Sequence, residues 1–297
     1  MVSLVTRDKL IVDKLATALV NSTGKLLQRD FNVIAAEFLA EERVTEQIEL
    51  FRSQVNNYER VDFKGKKLLE IGAGVGTLLI CARKKYAIDA YGVEPSKNEF
   101  SPFNEISNVL LAEYNLPMDI IVCGNAEELP FGAEMFDLVY SSNVIEHVQN
   151  PSEVFSESIR VLKKGGFLQF VIPNYFSFWE GHYDILWPCI TNRTLAKIYA
   201  TLMGKNPQYI DTLQLITPFF LKKILLKYKD EVEILGFGKD VFKKRLTTGN
   251  YSDWASLGKL RWIVKLVQQS KIADLIAYFL NLFGMYTPIV LTLKKKD

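Results

Sequence analysis

From residue 67 onward, short apolar runs alternate with longer stretches of helical periodicity. The runs Leu68–Ile71, Ala90–Val93, Ile120–Cys123, Leu138–Ser141 and Phe167–Ile172 have strand length and are bounded by turn residues. Between them apolar positions recur at helical spacing, most clearly over Pro151–Leu162. There Asn150 is a capping residue, Pro151 suits the first turn, and Gly165-Gly166 ends the connection. Regular strand–helix alternation predicts a parallel sheet with helices on both faces. Before it, residues 1–60 place Phe31, Ile34, Ala35, Phe38 and Leu39 on one helical face, which predicts two or three helices and no strand. After Pro173 the rhythm breaks. Residues 174–215 are aromatic-rich, irregular and too long for an ordinary connection, so they read as an insertion. A helix over Phe219–Tyr228, a strand over Val232–Phe237 and a last strand over Ile289–Leu293 enclose a second insertion at about 238–286. The expected division is a helical cap (1–60), a core (61–173), an insertion acting as acceptor lid (174–217), and a C-terminal part of the core with its own helical insertion (218–297).

Composition narrows this picture. A chain of 297 residues that is 48% hydrophobic can bury a large core. Its net charge of +2 gives no nucleic-acid footprint. Charge is uneven, however: from Phe219 to the end there are 15 Lys/Arg against 7 Asp/Glu, so the rest is net negative. A basic, apolar C-terminal third suits a phosphate-rich or membrane partner, or is a solvated basic face. Ile272–Leu293 is apolar and about long enough to span a bilayer, but Asp274, Asn281, Gly284 and Pro288 interrupt it. Upstream, Lys259, Arg261, Lys265 and Lys271 interleave with Leu260, Trp262, Ile263, Leu266 and Val267, a pattern compatible with a helix on a membrane surface. The three cysteines, Cys81, Cys123 and Cys189, fit neither a disulfide framework nor a zinc site; Cys81 and Cys123 are expected to be buried. Charged residues break the N-terminal apolar positions, so no signal peptide is expected and the location expected is cytoplasmic.

The candidate chemistry begins at the first strand, which runs Leu-Leu-Glu-Ile into Gly72, Gly74 and Gly76. Glycines at a strand-to-helix turn take positive φ and leave no Cβ against a ligand, as nucleotide-binding turns require. The dinucleotide pattern would put its third glycine at position 77, where Thr77 stands. The arrangement acidic-x-G-x-G-x-G, with Glu70 as the acid, instead resembles motif I of the class I S-adenosylmethionine (SAM) methyltransferases. Three further segments are similar to that family in the same order. Gly124-Asn125-Ala126-Glu127-Glu128-Leu129-Pro130-Phe131 looks like its adenine-reading segment, with Asn125 where an Asp is usual. Phe136 to Val148, ending Glu-His-Val, looks like its fourth strand, and Val161 to Phe167 like the approach to its fifth. The resemblance spans roughly residues 65–175. It implies a Rossmann-like α/β fold: a seven-stranded, mostly parallel sheet with helices on both faces, N-terminal helices and two mainly helical insertions. It implies SAM as cofactor, with Glu70 holding the methionine ammonium against Gly72, Gly74 and Gly76. Glu94, beside Pro95 at the second strand's end, would accept the ribose hydroxyls, Asn125 and Ala126 would meet adenine, and Ser142 and Asn143 would complete the cofactor site.

In such an enzyme the protein aligns an acceptor with an electrophilic methyl group and excludes water. An alcohol acceptor usually needs a base. The two histidines, His147 after the fourth strand and His182 in the first insertion, are the candidates, with Glu180 and Tyr183 as partners of His182. No metal cluster is visible in the sequence, so no metal dependence is expected. Tyr175, Phe176, Phe178, Trp179, Tyr183 and Trp187 either line an acceptor pocket or pack the insertion. The expected function is methyl transfer, preferably to oxygen, on a small-molecule, glycan or lipid-linked acceptor, with peripheral membrane contact through the basic C-terminal region as a further expectation. A quinone-like lipid acceptor, a non-catalytic SAM-binding protein and an NAD-dependent oxidoreductase are the alternatives. Nucleic-acid methylation is disfavoured, because the fourth strand lacks an Asn-Pro-Pro-Tyr-like motif.

Overall fold

The computed structural model describes residues 9–23, 25–95, 101–248, 266–269 and 272–297. Its centre is a seven-stranded sheet built from β1 (Lys67–Ile71), β2 (Asp89–Glu94), β3 (Ile121–Cys123), β4 (Phe136–Ser142), β5 (Leu162–Ile172), β8 (Val232–Gly236) and β9 (Ile289–Lys295). The order is β3-β2-β1-β4-β5-β9-β8. The first five strands pair in parallel, while β9 runs antiparallel to both β5 and β8. Each predicted strand lies within a strand of this sheet or overlaps one by most of its length.

Period-two alternation sends successive side chains to opposite faces and creates two cores. Leu68, Leu138, Tyr140 and Phe167 face a cluster built with α1 (Lys9–Ser22), α2 (Phe31–Phe38), α3 (Glu41–Asn56), α4 (Thr77–Tyr86) and α5 (Ser101–Glu113). Leu69, Ile71, Val139, Leu168 and Phe170 face the other, with α6 (Pro151–Val161), α8 (Pro218–Leu225), α9 (Lys239–Thr248) and α10 (Ala273–Leu282). The cap on α6 is as predicted: the Asn150 side chain accepts from Ser152 N–H and Pro151 occupies the first turn.

The first insertion differs from its expected helical character. Besides α7 (Arg193–Leu202) it contains a two-stranded hairpin, β6 (Trp179–Glu180) with β7 (Ile185–Leu186), and it has its own small core. Strands of two residues carry no readable periodicity, which is why the hairpin escapes the sequence. Cys81 is buried as expected, but Cys123 is exposed, because β3 is the edge strand and ends there. The apolar stretch from Ile272 does not form one span: α10 ends at Leu282 and β9 begins at Ile289. No helix among the described residues is long and apolar enough to cross a membrane. Of the basic–apolar stretch upstream, Lys259–Lys265 and Lys271 lie outside the described residues.

The β1/β4 boundary, where the strand order reverses direction, is the place at which open α/β sheets bind ligands. Phe170 supports it from below: it is fully buried and packs edge-on to Phe155 of α6 at 4.9 Å between ring centroids. Phe170→Ala should destabilise the fold by about 3–5 kcal/mol, read as a lower midpoint in denaturant unfolding at unchanged slope.

Candidate active site

The glycine turn is shaped by close approach. Gly72, Gly74 and Gly76 all have positive φ. A Cβ on Gly72 would lie 2.3 Å from Val144 Cγ2, so the turn after β1 presses directly on the segment after β4. A Cβ on Gly74 would meet nothing within 4 Å, leaving open space in front of its backbone. Gly74 N–H donates to Glu94 Oε2 at 2.9 Å, which ties the end of β2 to the turn. Glu94 is buried, and burial raises its pKa to about 7 against the opposing Gly74 hydrogen bond.

Glu70 sits one residue before the end of β1, on the face covered by α3. Burial holds its carboxyl well above the usual range; Glu94 adds repulsion and Arg43 opposes it. Its Oε2 is buried and makes no hydrogen bond. Two buried carboxylates beside an open glycine backbone suit a group with an ammonium and ribose hydroxyls, and SAM carries both. Pro95 follows directly on Glu94. Across the edge, Asn125 is exposed and Ala126 buried in the turn after β3. Ser142 ends β4, and Asn143 takes φ +55°, an uncommon conformation for a residue other than glycine, while its N–H donates to Val171 O at 2.9 Å. The expected cofactor residues thus lie at the C-terminal ends of β1, β2, β3 and β4.

The second half of the site joins residues far apart in sequence. Val144, which touches Gly72, is followed within three residues by Glu146 and His147. The first insertion brings His182 to them. The two imidazoles stand perpendicular with centroids 5.3 Å apart. One ligand atom each of Glu146, His147 and His182 lies within 4.8 Å of the other two. Behind His182, Nδ1 lies 2.7 Å from Glu180 Oε1, and Tyr183 N–H donates to Glu180 Oε2 at 2.7 Å. Burial alone would raise Glu180 and lower His182. Their mutual attraction outweighs it, so Glu180 falls below and His182 rises above its ordinary value. Glu180 therefore fixes the proton on Nδ1, and Nε2 is the nitrogen left for chemistry.

Glu146 is fully buried, and neither carboxylate oxygen has a hydrogen-bond partner among the described residues. Burial lifts its pKa to about 7, with His182 pulling the other way. His147 Nε2 is 3.9 Å from Glu146 Oε1, beyond hydrogen-bond reach. Surrounding protein, then His182, lowers the His147 pKa, although 39% of its side chain still meets solvent.

Sequence reasoning paired His182 with Glu180 but missed three supports. Glu146 was passed over beside the more conspicuous histidine. Arg29, from the N-terminal region, donates to Gly181 O at 2.5 Å and His182 O at 3.2 Å and clamps the hairpin turn. Gln214 N–H donates to Glu146 O at 2.7 Å, closing the far end of the insertion onto the β4 loop. No local pattern in the sequence announces either clamp. Of the aromatic run, Tyr175, Tyr183 and Trp187 are buried in the insertion's own core, with Tyr209 and Ile210, whereas Phe178 and Trp179 pack toward the main core. Most of these rings hold the insertion in shape.

The methyltransferase domain family matches residues 69–170. An uncharacterised protein of Mycobacterium tuberculosis is 33% identical over 121 residues, covering 41% of this chain and 40% of that protein. Norajmaline N-methyltransferase of Rauvolfia serpentina is 34% identical over 110 residues, 37% of each chain. A ubiquinone biosynthesis O-methyltransferase of Pseudomonas fluorescens is 30% identical over 109 residues, 36% of this chain and 44% of that enzyme. The matched segment thus spans about two fifths of these relatives. The crystallised cyclase SpnF shares the fold over 95% of this chain and 93% of its own, with a TM-score of 0.51 at 17% identity. With the ordered motifs, the sheet order and the glycine turn, these matches make residues 69–170 a methyltransferase domain of the class I, SAM-dependent kind.

Proposed function

We propose that this protein transfers the SAM methyl group to a small-molecule acceptor, preferably at oxygen. One observation carries the reading: a buried Glu180–His182 pair faces Glu146 and His147, beside a glycine turn flanked by buried carboxylates. Glu70, Gly72, Gly74 and Gly76 take the methionine end of SAM and Glu94 with Pro95 the ribose. Asn125 and Ala126 take adenine, and Ser142 and Asn143 close the pocket. An acceptor oxygen attacks the methyl carbon, the carbon–sulfur bond breaks, and its electron pair stays on sulfur. The hydroxyl proton goes to His182 Nε2, the imidazolium being stabilised by Glu180, with His147 alongside. An amine acceptor loses its proton more readily and has less use for this pair, which is why oxygen is preferred although relatives of both kinds match. Residues 174–217 act as the acceptor lid.

The acceptor class extends to lipid-linked molecules on a separate observation. Leu275, Tyr278, Phe279, Leu282 and Phe283 of the α10 region are exposed, as are Phe219 and Phe220 of α8, next to the exposed Lys222 and Lys223. An apolar face bordered by lysines suits an anionic membrane surface. Wild type should co-sediment with anionic vesicles and the Phe279→Glu, Leu282→Glu double variant should not; equal sedimentation would remove the membrane contact.

Two measurements test the main reading. Glu94 must be ionised to accept two hydroxyls, and its pKa of about 7 in the free protein means that low pH protonates it. SAM should therefore bind about tenfold more tightly at pH 8 than at pH 6 by calorimetry, and Glu94→Gln should weaken binding and flatten this dependence. Strong NAD binding with SAM affinity indifferent to Glu94 would favour the oxidoreductase alternative. Incubation with labelled SAM and fractionated extract should yield a labelled product, and His182→Ala should cut its rate by about 10²-fold or more. A variant rate near wild type would remove the role of His182, and binding without any transfer would favour a non-catalytic SAM-binding protein.

A further inference from the structure

The Glu146 carboxylate needs an explanation that the proton-transfer reading does not supply. Burying a carboxylate with no hydrogen bond to either oxygen is costly to the fold. No Lys or Arg side chain is bonded to it among the described residues. What faces it is two imidazoles, those of His147 and His182. His182 has its Nδ1 proton engaged by Glu180, the hydrogen bond by which a carboxylate orients a metal-binding imidazole and exposes Nε2 as the ligand. Glu180 is itself fixed by the Tyr183 N–H, and the backbone of the turn by Arg29. The hairpin therefore presents its histidine in a set orientation, supported two layers deep.

We infer that Glu146, His147 and His182 form a binding site for one divalent transition-metal ion, with Glu180 orienting His182 from behind. Two nitrogens and one carboxylate oxygen suit zinc, cobalt or iron(II) better than calcium or magnesium, which prefer oxygen ligands alone. Around a tetrahedral ion with bonds of about 2.0–2.1 Å, ligand atoms stand roughly 3.3 Å apart. One ligand atom from each residue lies within 4.8 Å of the other two, so the present spacing exceeds that around an ion by at most about 1.5 Å. Three protein ligands leave a coordination position for water or an acceptor oxygen. The partly exposed His147 provides the way in.

The inference rests on the methyltransferase reading and deepens it. An acceptor hydroxyl on the ion would lose its proton to solvent before attack on the methyl carbon. His182 Nε2 then serves as a ligand rather than as the proton acceptor, and acceptors with an ionisable oxygen, such as phenols and enols, are favoured. Loss of turnover in His182→Ala fits both roles, so binding itself has to be measured.

The test titrates Co²⁺ into the full chain after dialysis against a chelator, followed by calorimetry and visible absorption. The chain has only two histidines, so imidazole-ligated cobalt reports on this site alone. The expected result is one Co²⁺ per chain, displaced by Zn²⁺. Glu180→Gln should weaken it by about 10–100-fold, and His147→Ala, His182→Ala or Glu146→Gln by at least as much. Glu146→Gln keeps the size of the side chain and removes a buried carboxylate that has no hydrogen bond, so in chelator it should melt no lower than wild type and still bind SAM, which separates loss of the ligand from loss of the fold. Wild type failing to bind Co²⁺ and Zn²⁺ saturably, or binding unchanged in Glu146→Gln, would overturn the site. Methyl transfer that persists at full rate in chelator would overturn the catalytic use of the ion and leave the methyltransferase reading standing. Metal binding without any methyl transfer would uphold the site and count against that reading.

Discussion

The contact between Gly72 and Val144 is the constraint on which both halves of this site depend. Only a residue without a Cβ lets the turn after β1 approach the segment after β4 so closely, because an added methyl would stand 2.3 Å from Val144 Cγ2. The turn thereby opens its backbone at Gly74 toward a ligand. The same contact sets the start of the loop that carries Glu146 and His147 to the mouth of the sheet. The glycine turn and the loop carrying Glu146 and His147 are thus attached to two strands that pair in parallel, β1 and β4. Their relative position is fixed by a hydrogen-bonded ladder rather than by a mobile loop.

Around that contact lie buried acids whose electrostatics only a ligand relieves. Glu94 adds to the cost of burying Glu70 on the cofactor side, and Glu146 has no hydrogen-bond partner among the described residues on the other. Each is more expensive to the empty fold than an apolar residue would be. A protein keeps such groups where a cation or a set of hydroxyls will meet them, and sites of this kind trade stability for binding. The insertion makes the opposite contribution. Its small core of Tyr175, Tyr183, Trp187 and Tyr209 gives the β6–β7 turn a firm base from which to hold His182.

The sequence made the sheet legible because β1, β2, β4 and β5 are apolar runs of strand length bounded by turn residues and separated by stretches of helical periodicity. The cofactor side was legible for a related reason: its residues follow strand ends, where a short motif and a local turn carry the geometry. The other side was not. Glu146 and His182 are 36 residues apart and meet only because the insertion folds on its own core and is clamped by Arg29 and Gln214. Clamps onto backbone carbonyls, one from the Arg29 side chain and one from the Gln214 N–H, leave no periodicity behind. The expectation that the spacing offers no metal ligands was drawn from local patterns, which cannot register three groups assembled by tertiary packing.

The measurement that bears most directly on the account is the position of the methyl group in a structure of the protein with SAM bound. The account predicts that the sulfonium methyl points at the Glu146–His147–His182 cluster. An acceptor oxygen fits between them when the methyl stands about 5–6 Å from His182 Nε2, given roughly 3 Å for each of the two contacts. SAM bound with its adenine toward that cluster, or with the methyl turned away from it, would contradict the account.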